Sequence, residues 1–316
     1  MRLAILSSGI GWHVQDLQRA AAKRGINLQL HDFRNLTAFV AASGFLPLCG
    51  GGLGWGVETQ PGASVAPPPP PSPTRGEGGK QPSAILVRAM PAGSLEQVIF
   101  RMDVLHAAEA NGIPIFNPLR ALECCIDKYL TTQRLAAAGL PVPQTWCGQR
   151  ADDAVIAYGR LGGDVVIKPL FGSEGRGMVR VSDPDTAWRV CHAVENIGGV
   201  LYLQEFVKHD GYDVRAFVLG DRVLASMKRH GRDWRTNVAQ GGRAERYPLG
   251  DAERELALAA ARAVGCPIAG VDLLLGPNGW LVLEVNGVPG WRALCSACDI
   301  DVAGAILDFI ATRVQP

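Results

Sequence analysis

Two apolar runs near the C-terminus carry acids where a strand would be buried: Gly270-Val271-Asp272-Leu273-Leu274-Leu275 and Trp280-Leu281-Val282-Leu283-Glu284-Val285-Asn286. Each has the length and the Val/Leu content of a core strand. The joining residues Gly276-Pro277-Asn278-Gly279 suit a type I turn with Gly279 left-handed and closing a bulge. That turn sets Gly276 opposite Trp280 and, counting back, Asp272 opposite Glu284. Asn286 then shares a face with Glu284, because strand side chains alternate with period two. Two carboxylates facing each other in an apolar hairpin repel. A hard divalent cation, held by carboxylate and amide oxygens, resolves that repulsion most simply. The other reading is an ordinary hairpin whose acids point to solvent.

With 316 residues, 47% hydrophobic and 19% charged, the chain can build two or three compact units with real cores. A formal charge of +1 argues against a broad nucleic-acid surface. No run reaches the length of a membrane span. The first residues, Met1-Arg2-Leu3-Ala4-Ile5-Leu6, read as a strand with no signal-peptide pattern, so a cytoplasmic enzyme is the expectation. Of eight cysteines only Cys295 and Cys298 have CxxC spacing, and no second pair completes a zinc site. Reduced thiols are expected, with a redox role for Cys295 and Cys298 left open.

Residues 1–46 read as strand, helix, strand. Gly9-Ile10-Gly11 resembles the start of a dinucleotide fingerprint, but Val14 stands where the third glycine belongs. A tight turn into a helix explains it. Residues 47–83 hold nine Gly and nine Pro and cannot bury enough apolar surface to offset ordering, so a disordered insertion is expected there. A third strand follows at 84–88, a helix at about 95–111 and a short strand at 113–118. This alternation argues for a parallel sheet with packed helices. The expected organisation is an N-terminal α/β domain over 1–120 and a second α/β to α+β domain over 121–316.

Val165-Val166-Ile167-Lys168-Pro169 reads as a strand ending in lysine, followed by Gly172-Ser173-Glu174-Gly175-Arg176-Gly177. Glycine loops let backbone N–H groups approach phosphate oxygens, and a lysine supplies the point charge. No Walker A motif closes the loop, and a plain hairpin is the alternative. A strand at 200–207 ends in a polar corner, Gln204-Glu205-Phe206-Val207. There the backbone could meet an adenine edge and Glu205 an exocyclic amine or ribose. Asp213-Val214-Arg215 opens another strand. Met227-Lys228-Arg229-His230 and 232–237 look like a basic cluster between strands, suited to anionic ligands.

Taken in order, Lys128, Ile167-Lys168-Pro169 with its glycine loop, Gln204-Glu205-Phe206, Asp213-Val214-Arg215, Arg235-Thr236-Asn237, Gly270-Val271-Asp272 and Glu284-Val285-Asn286 resemble the ATP-grasp superfamily. Within it they are most similar to RimK-type α-L-glutamate ligases. The resemblance is close over about 84–316 and looser over 1–46. It implies an ATP-grasp fold preceded by a parallel-sheet domain, with nucleotide held between two subdomains of about 121–203 and 204–316. It implies that Lys128 and Lys168 hold ATP phosphates and that the loop with Gly172, Ser173, Gly175 and Gly177 is a lid. Gln204, Glu205, Phe206 and Val207 would form the adenine corner, with Asp213 at the ribose. Arg235, Thr236 and Asn237 would form a further nucleotide and substrate segment. Asp272, Glu284 and Asn286 would hold two Mg2+ ions, for which Mn2+ could substitute. Lys168, Arg235 and Arg229 would be catalytic, with Arg229 gripping the side-chain carboxylate of an acidic amino acid.

The implied reaction joins an amine, expected to be that of L-glutamate, to a carboxylate acceptor at the expense of ATP, through an acyl phosphate. Glu174 and Arg176 in the loop, and Gly287-Val288-Pro289-Gly290-Trp291-Arg292 after the metal strand, depart from RimK proper. The segments 88–97 and 289–292 look more like relatives that glutamylate tetrahydromethanopterin-type pterins. A ligase for another amino acid, of dipeptide or D-alanine type, and a non-catalytic ATP-binding regulator remain alternatives. Neither nucleic acid nor membrane is an expected partner. A homo-oligomer is compatible with the sequence.

Overall fold

The computed structural model describes residues 1–41, 44–49, 81–172, 175–231, 233–236 and 242–314. They form two compact units, Met1–Phe116 and Asn117–Arg313. In the first, β1 (Arg2–Ser7), β2 (Asn27–Asp32), β5 (Ala84–Val87) and β6 (Ile115–Phe116) make a sheet of order β2-β1-β5-β6, parallel throughout. Helix α1 (Trp12–Arg24) starts directly after Gly11 and stops at Gly25, whose left-handed φ of 62° and N–H bonds to Ala21 and Ala22 close its last turn. The Gly9-Ile10-Gly11 segment is therefore the expected turn into a helix. Helix α2 (Leu95–Ala110) opens with a Ser94/Gln97 capping box. Leu3, Ile5, Leu17 and Leu105 are fully buried between these layers.

An antiparallel hairpin, β3 (Leu36–Ala41) with β4 (Gly44–Cys49), extends the expected strand-helix-strand unit. Pro47, Leu48 and Cys49 belong to its second strand and pair with Ala38, Thr37 and Leu36. The Pro/Gly-rich insertion thus starts later than composition suggested, because backbone pairing ordered its first residues. Residues 50–80 of that insertion lie outside the described residues.

In the second unit, α3 (Leu119–Ile126) and α4 (Lys128–Ala137) are not one helix: Asp127 is extended between them and caps α4, its Oδ1 accepting from the Leu130 N–H at 3.0 Å. A first antiparallel sheet has the order β7 (Thr145–Gly148), β10 (Leu201–Glu205), β8 (Val165–Lys168), β9 (Val179–Val181). Helices α5 (Ala151–Arg160) and α6 (Pro184–Asn196) cover one face around Ala154, Val165, Ile167, Leu201 and Leu203. Strand β10 runs through Glu205, so the subdivision expected at 203/204 falls inside a strand.

A second antiparallel sheet has the order β13 (Arg243–Arg246), β12 (Arg222–His230), β11 (Tyr212–Leu219), β14 (Ile268–Gly276), β15 (Gly279–Asn286). Helix α7 (Asp251–Ala263) packs on one face, burying Val214, Ala216, Val271, Leu273, Val282 and Val285. Helices α8 (Arg292–Cys298) and α9 (Val302–Ala311) complete the unit. Cys124, Cys125, Cys147, Cys191, Cys266, Cys295 and Cys298 are free thiols. No helix among the described residues is long and apolar enough to cross a membrane.

Candidate active site

The face of the second sheet turned away from α7 carries a row of charges. Strand alternation puts Asp213 and Arg215 of β11, Arg229 of β12, Asp272 of β14 and Glu284 of β15 on that face. Arg215 grips Asp272 as a two-pronged fork, Nε to Oδ1 and Nη2 to Oδ2, both at 2.6 Å. Arg229 forks onto Asp213 with the same two lengths of 2.6 Å and reaches Asp272 Oδ2 at 2.9 Å. Thr236 Oγ1 also donates to Asp213 Oδ2. The row Asp213–Arg229–Asp272–Arg215 is thus a buried, alternating network in which each carboxylate is satisfied. Burial pushes the Asp272 carboxyl up, but the two guanidiniums outweigh it and hold it below the usual range.

Glu284 lies directly across the ladder from Asp272, as the sequence predicted. The turn that achieves this is not the expected one. Gly276 pairs with Gly279 across a two-residue turn, and the extra residue, Leu283, enters as a bulge beside Asp272 and Leu273. The bulge puts Leu283 and Glu284 side by side on the cleft, while Val282 and Val285 both face the α7 core. Among the described residues the Glu284 carboxylate accepts no hydrogen bond. Burial first, and repulsion from Asp272 second, push its pKa up, against the pull of Lys128, Arg215 and Lys168.

The first sheet supplies the opposite wall. Lys168 ends β8, and its Nζ donates to Gln204 Oε1 at 2.5 Å. Gln204 in turn donates to Thr145 Oγ1 at 3.0 Å and Tyr202 Oη at 3.3 Å, so the lysine sits on a fixed polar relay. Burial lowers the Lys168 ammonium to about 8. Lys128, at the start of α4, donates to the carbonyls of Gly172 (2.9 Å) and Leu170 (3.4 Å), and burial lowers its pKa too. The lysine therefore ties the first limb of the glycine loop to the cleft. At the far limb Gly177 has a φ of +73°, and a Cβ there would lie 2.9 Å from Pro169 Cγ, a position that only glycine fits comfortably.

Arg235 bonds Met178 O through Nη2 at 3.3 Å and its Asp233 neighbour through Nη1 at 3.2 Å, leaving a buried Nε without a partner among the described residues. Phe206 lies under the Arg180 guanidinium, 3.4 Å from ring centroid to Cζ, and edge-on to Trp234. The cleft is open at its mouth, with a cavity volume of about 120 Å³.

Of the residues expected from the sequence, Lys128, Lys168, Gly172, Gly175, Gln204, Glu205, Phe206, Val207, Asp213, Arg229, Arg235, Thr236, Asp272 and Glu284 line this one cleft. Gly177 and Asn286 do not line it. Asn286 Nδ2 donates to Gly270 O at 3.3 Å, which leaves its Oδ1 available. Ser173 and Asn237 lie outside the described residues. Three expectations change. Met227–His230 is strand, not a loop cluster: Lys228 turns to the opposite face over the Tyr212 ring, while Arg229 is 3% exposed and committed to Asp213 and Asp272. Arg229 is therefore not free to grip a ligand carboxylate. The Glu205 carboxylate lines the cleft but is already engaged, accepting from the Gln144 backbone N–H at 2.9 Å. Asp272 already has two positive partners, so the hairpin does not need a cation for its own neutrality.

Sequence reasoning missed Arg215, whose Asp-Val-Arg alternation with Asp213 could have signalled a shared face. It also missed Asn117. That buried amide donates to the carbonyls of Ile268 (2.8 Å) and Gly287 (2.6 Å) and accepts from the Ile268 N–H (2.9 Å), fastening both ends of the acidic hairpin.

The donor set fits a magnesium nucleotide. Two desolvated lysines and the orphaned Arg235 Nε gain from an anion, and the unpartnered Glu284 carboxylate gains from a hard cation. Asn286, two residues on along the same strand, carries a neutral amide oxygen.

Fold and cleft together define an ATP-grasp protein. Residues 125–310 match the RimK-like ATP-grasp domain. The chain is 34% identical over 257 residues to a tetrahydromethanopterin:α-L-glutamate ligase of Methanosarcina acetivorans, covering 72% of this chain and 79% of the relative. It is 36% identical over 217 residues to a probable α-L-glutamate ligase of Legionella pneumophila, covering 67% and 72%. The ATP-grasp ligase PsnB, solved with a phosphomimetic variant of its minimal precursor, Mg and ADP, superposes with a TM-score of 0.69 at 20% identity, covering 99% of this chain and 98% of that one. The chain belongs to the RimK-like ATP-grasp family.

Proposed function

We propose that this protein is an ATP-dependent ligase that attaches L-glutamate through its amine to a carboxylate acceptor. The observation that carries the reading is the convergence of Lys128, Lys168, Arg235 and Glu284 on one cleft in a chain about a third identical to proteins named for α-L-glutamate ligation. Lys168 and Lys128 hold phosphate oxygens, and each recovers there the charge stabilisation that burial removes. Arg235 offers its Nε to the same oxygens while its other nitrogens hold Met178 and Asp233. The Phe206–Val207 corner, with Leu274 and Leu283, supplies an apolar slot for the base.

Magnesium, when bound, neutralises phosphate charge, and Glu284, Asn286 and Asp272 are the residues that would hold it, in the two-ion form with Mn2+ as a substitute. The acceptor carboxylate takes the γ-phosphoryl group, the glutamate amine attacks the resulting acyl phosphate, and phosphate leaves. Water must stay out during that interval, which is the task assigned to the glycine loop around 172–177. The acceptor is a pterin-type small molecule on this reading, as the Methanosarcina relative's name suggests.

The test is mass spectrometry of products after incubation with ATP, Mg2+, glutamate and either reduced pterin acceptors or a metabolite extract. A product heavier by one glutamyl group, with stoichiometric ADP, is expected. Equal use of alanine would refute glutamate selectivity, and absence of ADP with every acceptor would favour a non-catalytic nucleotide-binding role.

A further inference from the structure

Asp272 and Glu284 face each other across β14 and β15 but are treated very differently. Asp272 receives both prongs of Arg215 at 2.6 Å and a third bond from Arg229 at 2.9 Å, whereas Glu284 accepts no hydrogen bond among the described residues. A cation arriving at Glu284 meets a facing carboxylate that is already taken. We propose that Arg215 stands in for the divalent cation in the metal-free protein, and that metal binding exchanges Arg215 for the ion at Asp272. This rests on the reading of Asp272 and Glu284 as metal ligands.

The two arginines on Asp272 are not equally able to leave. Arg229 has 3% of its side chain exposed and is pinned to Asp213 through Nε and Nη2, the nitrogen that also reaches Asp272. Arg215 has 15% exposed, and both of its bonded nitrogens end on Asp272. Its arm lies in a slot over Gly270: a Cβ there would be 3.6 Å from Arg215 Nε and 3.7 Å from Cδ, and 3.0 Å from Pro289 Cβ. The slot holds the arm straight toward Asp272 without covering its tip. Exchange replaces one positive charge by two at oxygen ligands that hard cations favour. It also frees a guanidinium fork on the cleft face, shaped for a carboxylate or phosphate. Metal and acidic ligand should therefore bind with positive coupling, each strengthening the other by the same factor.

The test is Mn2+ titration of the nucleotide-free full chain, followed by the electron paramagnetic resonance of the free ion, for wild type, Arg215→Lys and Arg215→Gln. Lysine keeps the charge but cannot hold both Asp272 oxygens, so it separates displacement from a general field effect. Both variants are expected to bind Mn2+ about tenfold more tightly than wild type. A second measurement uses wild type alone, in case the variants fail to fold: phenylglyoxal modification of Arg215, followed by peptide mass spectrometry, should speed up when Mn2+ is added. An Arg215→Lys variant with wild-type Mn2+ affinity, or Arg215 labelling indifferent to Mn2+, overturns the exchange. Neither measurement uses turnover, so an inactive protein would sink the ligase reading and leave this one standing.

Discussion

Replacing Arg229 by methionine tests what the buried charge row is for. Methionine keeps most of the volume and removes the guanidinium. Asp213 is then left with Thr236 as its remaining bond, in a site where it is 2% exposed, while Asp272 keeps Arg215. Removing one partner of a buried pair leaves an uncompensated charge, which costs about 3–5 kcal/mol. At about 2–4 °C per kcal/mol for a unit of this size, the melting temperature should fall by roughly 6–20 °C. Differential scanning calorimetry of the unliganded protein measures this directly. Removing the orphan as well, in Arg229→Met with Asp213→Leu, should recover a large part of the loss, since apolar replacement of a whole buried pair is often neutral. A structural arginine predicts this pattern. An arginine that grips the substrate predicts a rise in the Michaelis constant for glutamate with thermal stability intact. A melting temperature within about 2 °C of wild type, combined with a selective loss of glutamate affinity, would refute the reasoning.

Glu284→Gln should reduce Mg2+-dependent turnover on the order of 100-fold or more, read as ADP release. The same change should flatten the pH dependence of stability in EDTA. With the Glu284 pKa raised in the fold, this group's contribution to stability is fully present below the unfolded carboxyl pKa and is lost as pH rises through the folded value. A thermal scan series in which the variant and wild type run parallel from acid to neutral pH would count against it. Gly177→Ala must hold a side chain at φ +73° against Pro169, a strain of about 1–2 kcal/mol confined to the loop, so the Michaelis constant for ATP should rise with the melting temperature barely moved. Asn117→Ala takes the Asn117 partner from the Ile268 N–H and the Gly287 carbonyl and leaves Ile268 O with the Cys266 thiol; a loss of about 2–4 kcal/mol in urea unfolding is expected, and a loss under about 1 kcal/mol would mean the hairpin ends hold themselves.

Much of this architecture can be read along the chain, because its strands are short apolar runs and helices α2, α4, α6 and α9 open with side-chain caps. The opposition of Asp272 and Glu284 follows from counting residues, although the count went through the wrong turn. A one-residue excess placed at Gly279 and one placed at Leu283 give the same pairing at the acids and differ only between them. Arg229 shows the limit. Met227-Lys228-Arg229-His230 has the composition of a loop, and only its pairing with β11, 16 residues earlier, reveals that alternate members face a core and a tyrosine. Asn117 gives no local signal at all. Its partners are 151 and 170 residues away, and a single amide between Phe116 and Pro118 looks like any turn residue.

The bulge at Leu283 gives β15 a tolerance in length. On either side of it the strand keeps two independent counts, one anchored at Val285 and Glu284 and the other at Val282 and Trp280. Loss of Leu283 would merge the two counts into one regular strand with Glu284 still on the cleft and Val282 still inward. An insertion between Glu284 and Val285 has no such slack, since it would turn the acid away from the lysines. Related chains can thus vary the apolar floor beside the acid by a residue while the acid itself stays locked in place. The shape of the nucleotide slot and the position of the charge are in this way separately adjustable within a single strand.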